Sequence, residues 1–280
     1  MKFKNPNASI FVPDSKTSPE CLSRTNLLCI AAHADDVEIM AYHPISNCYS
    51  RSDRWFSSVT VTDGAGTPRS GLYSEYTDAE MIAIRSMEQR KAAVIGEYAA
   101  CIQLNYSSDI VKDASNDSLI CELSDIIAIM QPETIYTHNL ADKHDTHVAV
   151  VLRTIAACRS LPPEHRPKKL ISCEVWRGLD WLSDSEKVLM DTSLHPNLAV
   201  SLVGVYDSQI SGGKRYDLAA VSRRVANATF FESHEIDTSD SMNFGMDLSP
   251  LLTNSQNPLD FIKEHINTFM QEVSQRIKLM

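Results

Sequence analysis

Short, unbroken apolar runs alternate along this chain with longer stretches whose apolar residues recur at helical spacing. The apolar runs lie at residues 27–32, 56–61, 101–104, 134–137 and 170–176. The helix-like stretches lie at residues 80–98, 119–130 and 148–158. A short apolar run bounded by polar residues is typical of a strand that is buried on both faces of a parallel sheet. The alternation therefore predicts an α/β fold.

The order of these elements predicts a Rossmann-like, mostly parallel sheet with helices on both faces. After residue 176 the pattern weakens, and only two further helices are predicted, at 214–228 and 258–277. The sequence shows neither a repeat nor a flexible linker, so we expect one domain spanning residues 1–280. Within it, about 20–176 would form the α/β core that carries the site, and about 177–280 a C-terminal elaboration that shapes the substrate pocket.

The charge and hydropathy of the sequence argue against several classes of partner. The formal net charge of −10 disfavours a nucleic-acid-binding surface, which is usually basic. No apolar run approaches the roughly 20 residues that span a bilayer, so no membrane segment is expected. The seven cysteines include no Cys-x-x-Cys pair, which predicts reduced thiols in a cytoplasmic protein. Four of them lie among apolar residues and are expected in the core: Cys29, Cys101, Cys121 and Cys173.

One imidazole and three carboxylates follow the first predicted strand, within the segment 33–38, His-Ala-Asp-Asp-Val-Glu. Carboxylates this close repel one another, and a bound cation relieves that repulsion. Imidazole nitrogen and carboxylate oxygen together suit zinc or ferrous iron. Three other interpretations fit the segment: a solvated turn, a magnesium pocket of the phospho-receiver type, or a non-haem iron site. The iron site would use His33, Asp35 and His147.

Three histidines, His138, His144 and His147, follow the fourth predicted strand within ten residues. A helix beginning near Thr146, a good N-cap residue, would place His147 in its first turn and His144 just before it. A polar loop with surface histidines is the alternative. In a doubly wound sheet the first and fourth strands can be neighbours, and their C-terminal loops would then meet.

If those loops meet, His33, Asp36 and His147 could surround one metal ion. Two imidazoles and one carboxylate leave a position for water, as in catalytic rather than structural zinc sites. Asp35 would then stand beside the water, where a general base is needed.

Four segments resemble, in order, the motifs of the PIG-L/LmbE-like zinc-dependent N-deacetylases. Residues 32–38 resemble the signature A-H-P-D-D-x-E, and residues 144–147 resemble H-P-D-H. Between them, residues 61–64 are similar to the family's T-D-G strand end. Residues 85–96 are similar to its R-x-x-E…A…G helix. The resemblance runs from about residue 27 to 155, roughly half of the chain.

This resemblance implies a Rossmann-like fold and the hydrolysis of an N-acetyl group on an amino sugar, with one Zn²⁺ per chain or another divalent transition metal. It makes His33, Asp36 and His147 the metal ligands. It also makes Asp35 the general base, His144 the residue that stabilises the oxyanion, and Arg85 a substrate contact. A non-catalytic sugar-binding relative is the other reading of the same resemblance.

Two departures from the family pattern matter for the site. Ala34 replaces a proline, and Thr146 replaces the aspartate that would orient the neighbouring histidine. Asp142 or Asp145 could take over that orienting role.

The C-terminal half also resembles bacterial members of the family, at residues 176–182 and 207–217. Some relatives act on N-acetylated aminoglycoside intermediates such as N-acetylparomamine. We therefore expect a small N-acetylated amino sugar or aminoglycoside as substrate, and we leave the oligomeric state open. Trp176 and Trp181 could stack on a sugar ring, although core or lid packing is the favoured interpretation of both. A basic group could bind an anion, although exposed helix charge is the simpler interpretation: Lys214, Arg215, Arg223 and Arg224.

Overall fold

The computed structural model describes residues 1–253 and 255–280, and these residues contain one mixed, eight-stranded sheet. In chain order its strands are β1 (Ser9–Phe11), β2 (Thr25–Ala31), β3 (Trp55–Thr62), β4 (Ala100–Tyr106), β5 (Thr134–His138), β6 (Lys169–Cys173), β7 (Lys187–Asp191) and β8 (Met242–Asp247). Their spatial order is β1-β4-β3-β2-β5-β6-β8-β7.

The centre of the sheet is parallel and its edges are antiparallel. β2 pairs in parallel with β3 on one side and with β5 on the other. The order β4-β3-β2-β5-β6 is that of a Rossmann sheet, with the reversal of strand order between β2 and β5. The predicted fold class is confirmed, and the first and fourth predicted strands, β2 and β5, are neighbours as expected.

Helices cover both faces of the sheet. The described residues contain α1 (Glu20–Ser23), α2 (Asp36–Met40), α3 (Tyr42–Cys48), α4 (Asp78–Ile95), α5 (Ser108–Lys112), α6 (Ser118–Met130), α7 (Asp145–Ser160), α8 (Pro196–Gly204), α9 (Asp207–Ile210), α10 (Tyr216–Phe231), α11 (Pro250–Thr253) and α12 (Pro258–Leu279). Successive residues of β2 point to opposite faces, so Leu28 and Ile30 enter one buried apolar cluster while Leu27, Cys29 and Ala31 enter the other.

The sequence analysis missed three strands, all at or near an edge of the sheet. β1 is only three residues long, and β7 has a single buried residue, Met190. β8 contains Asn243 and Gly245, which weaken a strand pattern. Because β7 and β8 pair with each other and β8 pairs with β6, the C-terminal part of the chain extends the same sheet.

Several local expectations also need correction. α7 begins at Asp145 rather than at Thr146, with His144 in the N-cap position. β6 ends at Cys173, so residues 174–176 continue beyond the sheet. Cys121 is exposed on α6, because the apolar stripe of that helix faces away from it. Within the described part of the chain, no helix combines the length and apolar character that crossing a bilayer requires.

The central position of β2 gives a first testable prediction. Ile30 is fully buried between the sheet and its helices, so Ile30→Ala should lower the free energy of unfolding by about 2–5 kcal/mol. Urea denaturation followed by circular dichroism measures this change. Ile236→Ala, at a side chain that is 92% exposed, should change it by less than about 0.5 kcal/mol. Equal effects at both positions would contradict the placement of β2 in the core.

Candidate active site

The candidate site lies where β2 and β5 end at the same edge of the sheet. Cys29 of β2 pairs with Tyr136 of β5, so the two loops that follow these strands emerge side by side. Ala32 holds the first loop in place, because its carbonyl accepts from both the N–H and the hydroxyl of Thr62. Its own N–H donates to His138 Nε2 at 2.8 Å, which ties the first loop to the end of β5.

Three predicted metal ligands, His33, Asp36 and His147, come together at this edge. His33 Nδ1 lies 3.0 Å from Asp36 Oδ2 and 3.1 Å from His147 Nε2. His147 Nε2 lies 3.3 Å from the same carboxylate oxygen. Ligand atoms about 2.0–2.1 Å from a tetrahedral zinc ion are themselves roughly 3.3 Å apart. The triangle of donor atoms therefore fits one such ion, with room on its open side for a further ligand.

Two other groupings of side chains also place one donor atom from each residue within 4.8 Å. One replaces Asp36 by His144, and the other replaces His33 by His138. The second grouping is disfavoured because the lone pair of His138 Nε2 already accepts the Ala32 N–H. His138 is fully buried, and its ring stacks on that of His147 with centroids 3.8 Å apart.

The sequence analysis named His138 only as one member of a cluster and gave it no role. In the structure it packs beneath His147 and anchors the loop after β2. Its Nδ1 is buried and finds no hydrogen-bond partner among the described residues. The sequence did contain a signal for this structural role, because His138 is the last residue of a buried strand and a side chain there can point inward.

Asp142 orients His147. Its Oδ2 lies 3.1 Å from His147 Nδ1, which fixes that nitrogen as the N–H and leaves the Nε2 lone pair facing Asp36. A carboxylate behind a metal-binding imidazole is a common arrangement that raises its basicity. The same oxygen accepts the backbone N–H of Trp176 at 3.3 Å. Asp142 thus contacts His147 rather than the ring of His144, and Asp145 is exposed on the helix surface.

Charge in the cluster is arranged to favour a cation. Burial raises the pKa of Asp36, but the imidazoles of His147 and His33 outweigh it and hold that pKa well below its usual range. Burial lowers the pKa of His147, but Asp36 and Asp142 outweigh it and raise that pKa to about 9. The His147 imidazole thus lies between two carboxylates, Asp36 on its Nε2 side and Asp142 on its Nδ1 side, and this negative environment also favours a divalent cation beside Nε2.

Asp35 stands beside this cluster in an uncommon backbone conformation. Its φ is +93° and its side chain is 5% exposed, with Oδ2 at 3.4 Å from both terminal nitrogens of Arg85. Arg85 also donates to the Ala34 carbonyl, which holds the loop in this conformation. Burial raises the pKa of Asp35 to about 7, with Arg85 opposing the rise. A carboxyl group with this pKa can both accept and return a proton near neutral pH.

Arg85, predicted to contact substrate, is buried against Asp35 and also lines the cavity described below. Its stem packs on Gly64, where a Cβ would come within 3.3 Å of it. Gly64 has φ +79°, so glycine suits this position on both grounds.

Glu38, the last acid of the 33–38 segment, has a different environment. It is fully buried and accepts hydrogen bonds from Tyr98 and Tyr206 at 2.7 and 2.5 Å and from Gln89 at 3.0 Å. Burial raises its pKa to about 7, as for Asp35. Because Asp35 lines the cavity and Glu38 lies beneath it, only Asp35 can meet a substrate.

His144 lies at the entrance to the cluster. Its ring stacks on His147 with centroids 4.5 Å apart and meets His33 edge-on at 4.9 Å. Burial and the neighbouring imidazoles lower its pKa, which favours a neutral ring. A neutral imidazole keeps one N–H and can donate a hydrogen bond into the cavity.

These side chains form one end of a cavity of about 690 Å³. Ligand pockets for small molecules commonly have volumes of about 300–1,000 Å³. His33, Asp35, Asp36 and His144 line its floor, and Trp176 and Tyr216 stand on a side wall. The cavity therefore offers a group of candidate metal-binding side chains, a buried carboxyl group and aromatic surfaces to one small ligand.

Comparison with known proteins identifies a family match that spans the candidate metal-binding residues. Residues 28–158 match the family described as PIG-L: GlcNAc-PI de-N-acetylase. This chain carries a PIG-L family domain. The uncharacterized deacetylase YaiS of Escherichia coli (strain K12) is 28% identical over 156 residues, which cover 54% of this chain and 77% of YaiS.

Two solved structures share the fold of this chain. The N,N'-diacetylchitobiose deacetylase of Pyrococcus horikoshii has a TM-score of 0.65 at 14% identity and covers 89% of this chain and 93% of its own. The 4-carboxy-2-hydroxymuconate hydratase of Pseudomonas putida KT2440 has a TM-score of 0.61 at 16% identity, with coverage of 83% and 99%. A deacetylase and a hydratase thus share this fold, so the reaction must be argued from the site.

The ligand triangle predicts which histidines retain zinc. His33→Ala and His147→Ala should each abolish stoichiometric zinc binding, because two remaining donors hold the ion poorly. His138→Gln should keep it, since a glutamine oxygen can still accept the Ala32 N–H. Metal analysis of the purified variants measures this, with the exposed His165→Ala as control. If His138→Gln loses zinc but keeps a native near-UV circular dichroism spectrum, the grouping of Asp36, His138 and His147 would be favoured instead.

The contact between Asp142 and His147 gives a second prediction for this site. Asp142→Asn should weaken zinc binding by about 10–100-fold, because the imidazole loses its charged orienting partner. Asp145→Asn removes the same charge three residues further along, at an exposed position, and should leave the affinity unchanged. Competition with a chromophoric chelator measures both dissociation constants, and equal values for the two variants would refute the orienting role.

Proposed function

We propose that this protein is a zinc-dependent hydrolase that removes the N-acetyl group from a small amino sugar. The observation that carries the proposal is the juxtaposition of three metal-binding donor atoms with a buried carboxyl group whose pKa is raised to about 7. The PIG-L domain spans every residue of this arrangement, and the curated relative is also described as a deacetylase.

His33, Asp36 and His147 would hold one Zn²⁺ per chain, or another divalent transition metal. When bound, the ion supplies a Lewis acid and lowers the pKa of a coordinated water towards about 7. The mixed set of two imidazoles and one carboxylate is that of catalytic rather than structural zinc sites.

Asp35 is the proposed general base and then the general acid. It accepts the proton of the attacking water, and later delivers a proton to the nitrogen of the leaving amine. Arg85 contacts the Asp35 carboxylate beside the cavity that both residues line, and its positive charge limits the rise in the pKa of Asp35. Arg85 would also contact the substrate, because its side chain lines the cavity.

His144 is proposed to stabilise the oxyanion that develops on the acetamide carbonyl. Its ring lies against both His33 and His147, so an N–H that it donates into the cavity is close to the reacting group. A hydrogen bond of this kind contributes about 3 kcal/mol to transition-state stabilisation. Acetate and a free amine are the products.

The substrate class is an N-acetylated amino sugar or an aminoglycoside intermediate, for which the cavity of about 690 Å³ has room. The cytoplasm is the proposed location, supported by seven cysteines that are all free.

Two rival functions receive less support. A non-haem iron oxygenase would need Asp35 as a ligand beside His33 and His147, yet the Asp35 carboxylate faces Arg85. Asp36 occupies the place between the two histidines instead. A non-catalytic sugar-binding relative would not need Asp35, whose buried carboxyl group is costly to maintain.

The role of Asp35 predicts a separation of activity from metal binding. Asp35→Asn should retain zinc and lower kcat/KM for an N-acetylated amino sugar by about 10²–10⁴-fold, because the amide cannot accept a proton. Fluorescamine detection of the released amine, with zinc content measured on the same samples, tests this. Full activity in Asp35→Asn would refute the base assignment.

The same assay separates hydrolysis from oxygen chemistry. Amine and acetate should appear in equal amounts, and at the same rate with and without air. Dependence of product formation on oxygen would support the iron oxygenase instead.

A further inference from the structure

The side wall of the cavity carries two cations that have no role in the proposed hydrolysis. Lys214 and Arg223 both line the cavity, and both contact the segment that continues from β6. Lys214 Nζ lies 5.1 Å from the centre of the Trp176 ring. Arg223 donates a hydrogen bond to the carbonyl of Val175, the residue before Trp176. The two cations are therefore fixed to adjacent residues of one wall.

The backbone holds Lys214 in place. Its N–H donates to the Gln209 carbonyl and its own carbonyl accepts the Tyr216 N–H, both at 2.8 Å. Gly212 permits the tight turn before it, since a Cβ there would lie 2.1 Å from the Ser208 carbonyl oxygen. Lys214 is thus aimed at the cavity from an ordered turn.

Lys214 and Arg223 lack carboxylate partners. Within residues 1–253 and 255–280, neither side chain forms an ion pair. Glu174 feels the charge of Arg223, but its carboxylate accepts hydrogen bonds from the Leu179 and Phe244 N–H groups and from Asn227. By contrast Lys112, which also lines the cavity, pairs with an aspartate of its own helix at 3.1 Å.

Unpaired cations beside an aromatic ring in a concave site are suited to an anionic ligand. Arginine binds phosphate or carboxylate through paired N–H groups, and lysine adds a point charge. The Trp176 indole presents an apolar face on which a sugar ring can lie. Glu174 offsets part of the charge of the wall, but it is 1% exposed and its oxygens are already hydrogen-bonded.

We propose that the amino sugar taken by this site carries an anionic group, a phosphate or a carboxylate, which Lys214 and Arg223 bind while the sugar ring lies on Trp176. This inference rests on the proposed deacetylase function and narrows its substrate class. A polycationic aminoglycoside intermediate would meet like charge on this wall, so anionic sugars are preferred over it.

The experiment compares kcat/KM for four N-acetylated substrates with the zinc-loaded protein. They are methyl N-acetylglucosaminide, N-acetylglucosamine 1-phosphate, the N-acetylglucosaminide of glycolic acid and N-acetylparomamine. At least one anionic substrate should exceed the neutral one by about tenfold or more, because a charge-assisted hydrogen bond contributes that much. The phosphate and the carboxylate substrates show which anion the wall prefers.

Lys214→Met removes the charge and retains a side chain that can pack on Trp176. It should reduce the preference for the anionic over the neutral substrate to about twofold or less, and rising ionic strength should reduce it in the unaltered protein. Lys91→Met, at an exposed position on α4, should leave the preference unchanged. An equal loss in both variants would overturn the assignment to Lys214.

The two proposals fail in different ways. Absence of amine release from all four substrates would refute the deacetylase function. Release at equal kcat/KM from neutral and anionic substrates, or a preference for N-acetylparomamine, would refute the anionic substrate class alone. If the protein releases no amine, calorimetric titration with glucosamine 1-phosphate and with methyl glucosaminide still tests whether Lys214 and Arg223 bind an anion. Tighter binding of the phosphate would support that assignment, and equal affinity for the two sugars would overturn it.

Discussion

The parallel pairing of β2 with β5 is the contact on which the site depends. It brings together two loops that are more than one hundred residues apart in the chain, as the separation of 114 residues between His33 and His147 shows. The pairing continues past the strands themselves, because Ala32 donates to His138 at the end of β5. A shift in this register would displace the loop after β2 relative to the loop after β5 and separate His33 from His147.

Around this contact, buried polar groups hold the loops in a geometry that is costly without a cation. Asp36 and His147 are almost fully buried, and burying unpaired charge is unfavourable. Asp142 orients His147 and also anchors the backbone of Trp176, so the proposed metal site and the proposed substrate wall share one carboxylate. Arg85 similarly joins the loop after β2 to the cavity. The same few side chains would thus position both the proposed chemistry and the proposed substrate binding.

The sequence sufficed for the parallel core of the fold, because buried central strands produce continuous apolar runs such as that of β2. It also grouped His33, Asp36 and His147, because the ends of adjacent parallel strands must meet. It could not distinguish Asp142 from Asp145 as the orienting acid, since that depends on which carboxylate reaches the imidazole.

The edge strands β7 and β8 were missed for a physical reason. Their stability comes from pairing with each other and with β6 rather than from an apolar pattern of their own. The sequence analysis also interpreted Arg224 as an exposed charged residue on a helix. In the structure its side chain is 1% exposed and donates to carbonyl groups of α2. The position of Lys214 over Trp176 depends on a turn that only the folded chain reveals.

The most direct measurement of the central claim is an anomalous-difference map from a crystal of the zinc-loaded protein. The account predicts one peak per chain, about 2.0–2.2 Å from His33 Nδ1, from an Asp36 carboxylate oxygen and from His147 Nε2. A peak bound by His138, or one that lies away from His33 and Asp36, would contradict it.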